Sequence, residues 1–341
     1  MDRVKRFFWL LAGVLLVSSV IAHTAYVLTQ DELAAAARGQ ETLTATLTSL
    51  TAGEIIAILA GLIVLAALAW YLLHIKLHHR RVRAFFDRLE AHHDIVPSVL
   101  RLILGITLII GGLGNDYLFA PDLPLFSLAL SNLEAVVGVM LVFGFLTELA
   151  AILAILLFAY GIWNHGAVVL NHLEILGTSL FLAAWGGGRF SVNHADSRWM
   201  RWHARIRALL ETVKPYGVAL LRWSVGISFI WMGLNEKLLH PSLSLAVVEK
   251  FSLAAQLSVR PEFYVLCAGI IEVGLGILLL VGFLTRFVGV IAFLVFTLSV
   301  FRFGESVLPH LLLMAIFVCY FITGAQEPSV DRWLLRKQRG R

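Results

Sequence analysis

The sequence predicts an all-α polytopic membrane bundle, built as two parallel four-helix repeats behind two N-terminal spans, about ten transmembrane helices in all. Three observations carry this expectation. First, the 341 residues are 59% hydrophobic and only 14% charged, with a mean hydropathy of +0.85, which no ordinary soluble domain shows. Second, the apolar runs reach the roughly 20 residues that a helix needs to cross about 30 Å of hydrocarbon. Third, the stretch L-E-A-V-V-G-V-M-L-V-F-G-F-L-T-E-L-A from Leu133 returns as I-E-V-G-L-G-I-L-L-L-V-G-F-L-T-R-F-V from Ile271. Glu134, Gly144, Phe145, Leu146, Thr147 and His172 meet Glu272, Gly282, Phe283, Leu284, Thr285 and His310 at one offset of 138 positions, which Asn193 and Asp331 keep. Chance similarity would not hold a carboxylate, a turn and a histidine in one register, so the chain reads as an internal repeat.

Taken in order, 1–95 is an N-terminal pair of spans with a basic helix. Met1–Arg6 precedes the apolar run Phe7–Leu28, a signal anchor or a signal peptide cleaved after Ala22. The polar stretch Thr29–Leu50 lies outside the membrane, and Thr51 with Glu54 has the spacing of a capping box that opens the span Glu54–Ile75. K-L-H-H-R-R-V-R (Lys76–Arg83) begins a charged stretch to His93 that faces solvent and lipid headgroups. Neighbouring histidines on a helix point about 100° apart, so neither His78-His79 nor His92-His93 chelates a metal.

The first repeat, 96–193, offers the spans Ser98–Gly114, Leu130–Phe145, Leu149–Trp163 and Leu170–Gly186. A basic linker, 194–215, leads to the second repeat, 216–331, with Gly217–Leu234, Glu262–Phe283, Phe287–Phe301 and Pro309–Ile322; a basic tail, 332–341, closes the chain. With ten crossings all four basic segments share one side, which the positive-inside rule makes cytoplasmic. Both termini are then cytoplasmic if the first span is uncleaved. Four helices per repeat make the repeats parallel. The net charge of +5 resides in those segments, so no nucleic-acid partner is expected. Cys267 and Cys319 lie inside apolar runs and read as small core residues.

Polar groups inside the spans are the candidates for chemistry, because each is costly in hydrocarbon unless it faces protein or water. In the first half these are Asn115, Asp116, Glu134, Asn164, His165, Asn171, His172 and Glu174; in the second, Asn235, Glu236, Lys237, Glu272, Arg302, Glu305 and His310. They are expected near the outer face. Glu134 and Glu272 are expected about one turn into their helices, where compensation of the helix dipole competes with a functional role. A glutamate and a histidine from adjacent helices can bind a polar headgroup, pass a proton or hydrogen-bond a quinone carbonyl. Lys237 follows Gly233 and supplies a cation that neutralises Glu272. No tight ligand spacing such as H-x-x-x-H supports a metal site, and no dinucleotide, C-x-x-C or nucleophile-elbow pattern is present.

Each half resembles the DoxX/DoxD-like family of four-helix membrane proteins, over roughly 96–331. The second half carries it most fully, in L-R-W-S-V-G-I-S-F-I-W-M-G-L-N-E-K-L, E-V-G-L-G-I-L-L-L-V-G-F-L-T-R, His310 and the closing G-A-Q-E-P-S-V-D. In the first half Asp116 lies near the place of the family lysine, Glu148 replaces the arginine after G-F-L-T, and Asn193 replaces the closing aspartate. The resemblance implies a multi-pass protein of a prokaryotic plasma (inner) membrane tied to redox chemistry, with thiosulfate:quinone oxidoreduction as one activity associated with the family. It implies quinone as a diffusible partner, a membrane or periplasmic protein partner carrying the prosthetic group, and catalytic positions at Glu272, His310 and Lys237, with Glu134 and His172 as first-repeat counterparts. The alternatives are a small-molecule or ion transporter and a noncatalytic membrane assembly subunit.

Overall fold

A computed structural model of the chain describes residues 27–36, 38–39, 42–114, 117–125, 127–192, 208, 211–304 and 307–339. The cleavage position after Ala22, Asn115, Asp116, Asn193, Glu305 and most of the basic linker lie outside the described residues. The described chain is an all-α membrane bundle. No strand is formed there, only an isolated bridge between Tyr117 and Pro124.

Six helical runs among the described residues are long and apolar enough to cross a membrane: Ala52–His78, Arg80–Gly114, Thr147–Trp185, Lys214–Leu239, Pro261–Val281 and Thr285–Phe303. Leu128–Phe143 and Leu308–Thr323 are apolar but shorter. About ten crossings were expected: the first, Phe7–Leu28, lies almost wholly outside the described residues, Thr147–Trp185 holds two of the others, and the two shorter helices stand where two more were expected. Thr147–Trp185 contains two α-helices, Thr147–His165 and Leu173–Trp185, joined by the 3-10 turn Gly166–His172. That turn shortens the second helix to 13 residues, about 20 Å at 1.5 Å per residue. Gly144, in the left-handed region at φ 69°, stops Leu128–Phe143.

The contacts divide the chain into two compact units. The first comprises described residues within 1–73, 229–277 and 291–306. Its helix Ala52–His78 begins with the expected capping box: the Thr51 amide donates to Glu54 Oε2 at 2.8 Å and the Glu54 amide to Thr51 Oγ1 at 3.2 Å. Arg260 clamps both Glu54 oxygens, each at 2.8 Å. The apolar cluster of Leu245, Val248, Leu253, Tyr264, Val265 and Ala268 is closed by Phe251 against Phe303, ring centroids 4.7 Å apart.

The second unit comprises described residues within 74–228, 278–290 and 307–341. Small residues let its helices touch. A Cβ at Gly105 would stand 2.7 Å from the Gly138 carbonyl oxygen, and one at Gly138 2.7 Å from that of Gly105, so Val96–Gly114 and Leu128–Phe143 cross backbone to backbone.

Two buried arginines organise this unit. Arg101 donates to the carbonyls of Leu141, Val142, Gly187 and Phe190. Arg222 donates to those of Leu279, Leu280, Ala325 and Pro328. Pair by pair, the acceptors stand 138 residues apart. A helix leaves its last four carbonyls without partners, and in a membrane no water is at hand to take them. Each guanidinium, with five N–H donors, serves the helix end at a G-F-L-T turn and the loop beyond a later span. The turns themselves match: Gly144 and Leu146 have φ 69° and 46°, Gly282 and Leu284 φ 66° and 52°.

Replacing Arg222 by methionine therefore strands four carbonyls at once. The expected loss is about 3 kcal/mol or more of unfolding free energy in detergent, measured by denaturant titration; a loss under about 1 kcal/mol would contradict this role.

Candidate functional site

The helix Gly217–Met232 runs directly into a π-helical segment, Gly233–Leu239, in the first unit. Glycines explain the approach of this segment to Pro261–Val281. A Cβ at Gly233 would stand 2.9 Å from Val273 Cγ2 and 3.2 Å from the Gly269 carbonyl oxygen; one at Gly269 would stand 3.1 Å from Lys237 Cβ. With the backbones this close, the Lys237 side chain lies along the neighbouring helix, its Nζ 2.8 Å from Glu272 Oε2. The two side chains are 1% and 0% exposed. Neither Glu272 oxygen has a partner in hydrogen-bond geometry among the described residues, so the Lys237 contact is an ion pair. The π segment is held at its far end by the His240 amide on the Asn235 carbonyl at 3.1 Å and by Ser244 Oγ on the Glu236 carbonyl at 2.9 Å.

The position of Glu272 corrects the sequence expectation. The helix begins at Pro261, one residue before the expected span Glu262–Phe283, and proline suits that first position, so the glutamate is not about one turn in. Glu272 is the twelfth residue of that helix, about 16 Å from its start. The dipole effect dies within one turn and cannot explain it; Glu262 occupies the first turn instead. Glu272 thus sits mid-helix rather than toward one end. Glu134 is likewise the seventh residue of Leu128–Phe143, nearly two turns in.

In the second unit Glu134 is buried and accepts the Phe119 amide on Oε1 at 3.0 Å, while Oε2 has no hydrogen-bond partner among the described residues. Gly111 makes the room, since a Cβ there would stand 2.6 Å from Oε1. The loop that delivers Phe119 is itself core: Leu118, Phe119, Ala120, Leu123 and Leu125 are buried, and Phe119 holds φ 66°. The same loop brings Asp122 to His172, with Nε2 3.0 Å from both carboxylate oxygens. On the other side of the ring Nδ1 is 3.6 Å from Glu174 Oε1. Adjacent-helix pairing of glutamate and histidine was expected here, but the carboxylates on this imidazole are Asp122 and Glu174, and Glu134 takes a backbone amide.

His310 is buried in the 3-10 turn Leu308–His310 of the second unit. Asn164 and Arg302 are exposed. Asp122 was missed by sequence reasoning, which placed it in no motif; its only local signal is P-D-L-P (Pro121–Pro124), where two prolines stiffen a loop.

The Phe119 contact separates two substitutions at Glu134. Glu134→Leu removes the acceptor and is expected to cost about 2 kcal/mol and to raise amide exchange across 117–125. Glu134→Gln keeps an acceptor oxygen and should preserve most of the protection. Asp122→Asn, which leaves His172 with one carboxylate, should raise exchange in the same loop; unchanged exchange in both Glu134→Leu and Asp122→Asn would contradict the anchoring described.

Residues 217–305 match the DoxX family. No curated protein and no solved structure matches the chain. The matched segment contains the π-helical turn, Lys237 and Glu272, while Glu134, His172 and His310 fall outside it. The chain is an integral membrane protein with a segment that matches the DoxX family, and both members of the most deeply buried ion pair among the described residues lie inside that segment.

Proposed function

We propose that this chain is a membrane subunit of a quinone-linked redox reaction, in which the Lys237–Glu272 pair holds a carbonyl oxygen of the carrier and exchanges a proton with it. The observation that supports this most is the pair itself, 2.8 Å apart, excluded from solvent and set on a π-helical turn inside the DoxX-matched segment. A buried ion pair rarely stabilises a fold better than apolar packing would. Ionisable groups inside a membrane mark sites of function by default, and π turns recur at such sites.

The donor set suits the chemistry. An ammonium has three N–H donors; Lys237 meets Oε2 as an ion pair, and Oε1 offers an acceptor. A quinone carbonyl requires a donor and the hydroxyl of the quinol an acceptor, so both redox states meet a partner here. Reduction to the quinol takes up two electrons and two protons. This chain orients one carbonyl and moves a proton at its oxygen, water supplies the second proton at the other carbonyl, and a membrane or periplasmic partner protein with its own prosthetic group delivers the electrons. Thiosulfate is the electron donor that the family resemblance suggests.

The first half reads as scaffold. Its glutamate is held by the Phe119 amide rather than by a lysine, and its histidine is occupied by Asp122 and Glu174. The common offset of the Arg101 and Arg222 acceptors supports the reading that both halves descend from one duplicated unit. The basic segments support an inner-membrane orientation with both termini in the cytoplasm. His310, buried and at the counterpart position of His172, is assigned to the same reaction as a supporting group.

A photoreactive quinone added to the purified chain should label peptides containing Gly233–Leu239 or Glu272. Labelling is expected to fall about tenfold in Lys237→Met, since losing a charged hydrogen bond costs about 1.5–3 kcal/mol, and to survive in Lys237→Arg. Absence of labelling, or equal labelling in Lys237→Met, would sink the proposal. Solute uptake by sealed vesicles that disappears in Lys237→Met would point instead to transport.

A further inference from the structure

Two short helices of the second unit carry charges that its core does not use. Arg80–Glu90 (R-R-V-R-A-F-F-D-R-L-E) sets Val82, Phe85, Phe86 and Leu89 along one side and its four arginines around the other. Phe86 packs inward, edge-on to Phe287 and Phe321 with centroids 6.0 and 6.3 Å away. Its neighbour Phe85 stays 50% exposed.

Val330–Arg339, V-D-R-W-L-L-R-K-Q-R, is the second of these helices. Asp331 pins its start: the carboxylate accepts the amides of Leu284 and Thr285 at 2.9 and 3.3 Å and meets Lys76 Nζ at 2.7 Å. Arg332 pairs with Glu90, and Gln338 Nε2 donates to the Leu77 carbonyl at 3.0 Å. Both helices are therefore fixed where Ala52–His78 ends and Val96–Gly114 begins. Two consecutive spans turn there, so that level is a membrane boundary.

The surface at this boundary is basic and aromatic. Arg80, Arg81, Arg88 and Lys337 are exposed and form no ion pair among the described residues. Arg336 has only Glu327, 3.3 Å away and itself half-exposed. Across the two helices three acids, Asp87, Glu90 and Asp331, stand against eight arginines and lysines, and Glu90 is already shared between Arg286 and Arg332. Trp333 is 53% exposed, with Lys337 Nζ 5.1 Å from its ring centroid. A solvated charged face would explain the arginines alone, but not the exposed Phe85 and Trp333 beside them. Aromatic rings at headgroup level with unpaired cations around them are the composition of an interfacial helix.

We propose that Arg80–Glu90 and Val330–Arg339 form a docking surface for anionic phospholipids, with lipid phosphates on Arg80, Arg81, Arg336 and Lys337 and with Phe85 and Trp333 set into the headgroup boundary. Electroneutrality favours this occupant, because the surface is short of acids and the bilayer can supply phosphates at that depth. Each cation near an anionic membrane surface is worth about fivefold in lipid preference.

The test presents the purified full chain with equal phosphatidylglycerol and phosphatidylcholine and counts retained lipids by native mass spectrometry. Wild type is expected to prefer phosphatidylglycerol about tenfold or more. The combined variant Arg80→Gln, Arg81→Gln, Arg336→Gln, Lys337→Gln should lose that preference, and Lys/Arg exchange at the same four positions should keep it. Rising salt should erode it in wild type, which decides the matter should the glutamine variant fail to fold. Equal retention of both lipids by wild type, a preference untouched in the glutamine variant, or a preference indifferent to salt would overturn the proposal. Release of the lipid by soluble glycerophosphate would reveal a free-phosphate site and overturn it too.

Discussion

A polar group inside hydrocarbon has no water to fall back on, and that constraint shapes every distinctive feature of this chain. The G-F-L-T turns end helices within the bundle, so their carbonyls need donors, and Arg101 and Arg222 supply them. Those arginines can be buried because each is surrounded by carbonyl oxygens rather than left as a bare charge. The close helix crossing at Gly105 and Gly138 then follows in the second unit, with short spans drawn tight by small residues.

The same constraint acts on the glutamates and is met in two ways. Glu134 is served by a backbone amide that a buried loop carries to it, at the cost of holding Phe119 at positive φ. Glu272 is served by the ammonium of Lys237, on a π turn that two glycines bring against its helix. An amide only satisfies a carboxylate. An ammonium can also give up its proton, so the two arrangements differ in chemistry although they occupy corresponding positions in the sequence. That difference is why the functional reading settles on the DoxX-matched segment.

Much of this was legible in the residues. Hydropathy marked the spans, the Thr51–Glu54 spacing marked a helix start that the structure contains, and Lys237, four residues after Gly233, was singled out as the cation for Glu272. The start of Glu272's helix was legible to within one residue, Glu262 against Pro261, yet Glu272 itself was placed about one turn in although it is the twelfth residue. Asp122 was invisible, since a loop residue 50 positions from His172 leaves no periodic signal. The arginine caps, Arg101 and Arg222, were not legible as caps. Their acceptors are backbone carbonyls, and no side-chain pattern marks a carbonyl.

Everything assigned to the second half rests on Lys237 and Glu272 sharing their charge inside the membrane. A double-mutant cycle on the unfolding free energy of Lys237→Met, Glu272→Gln and the combined variant measures that coupling directly. Each single change is expected to cost about 3–5 kcal/mol by stranding its partner, and the combined variant should recover about 2 kcal/mol or more of the sum. Single effects that add to within about 0.5 kcal/mol would mean the two groups do not interact, and the account of the site would fail.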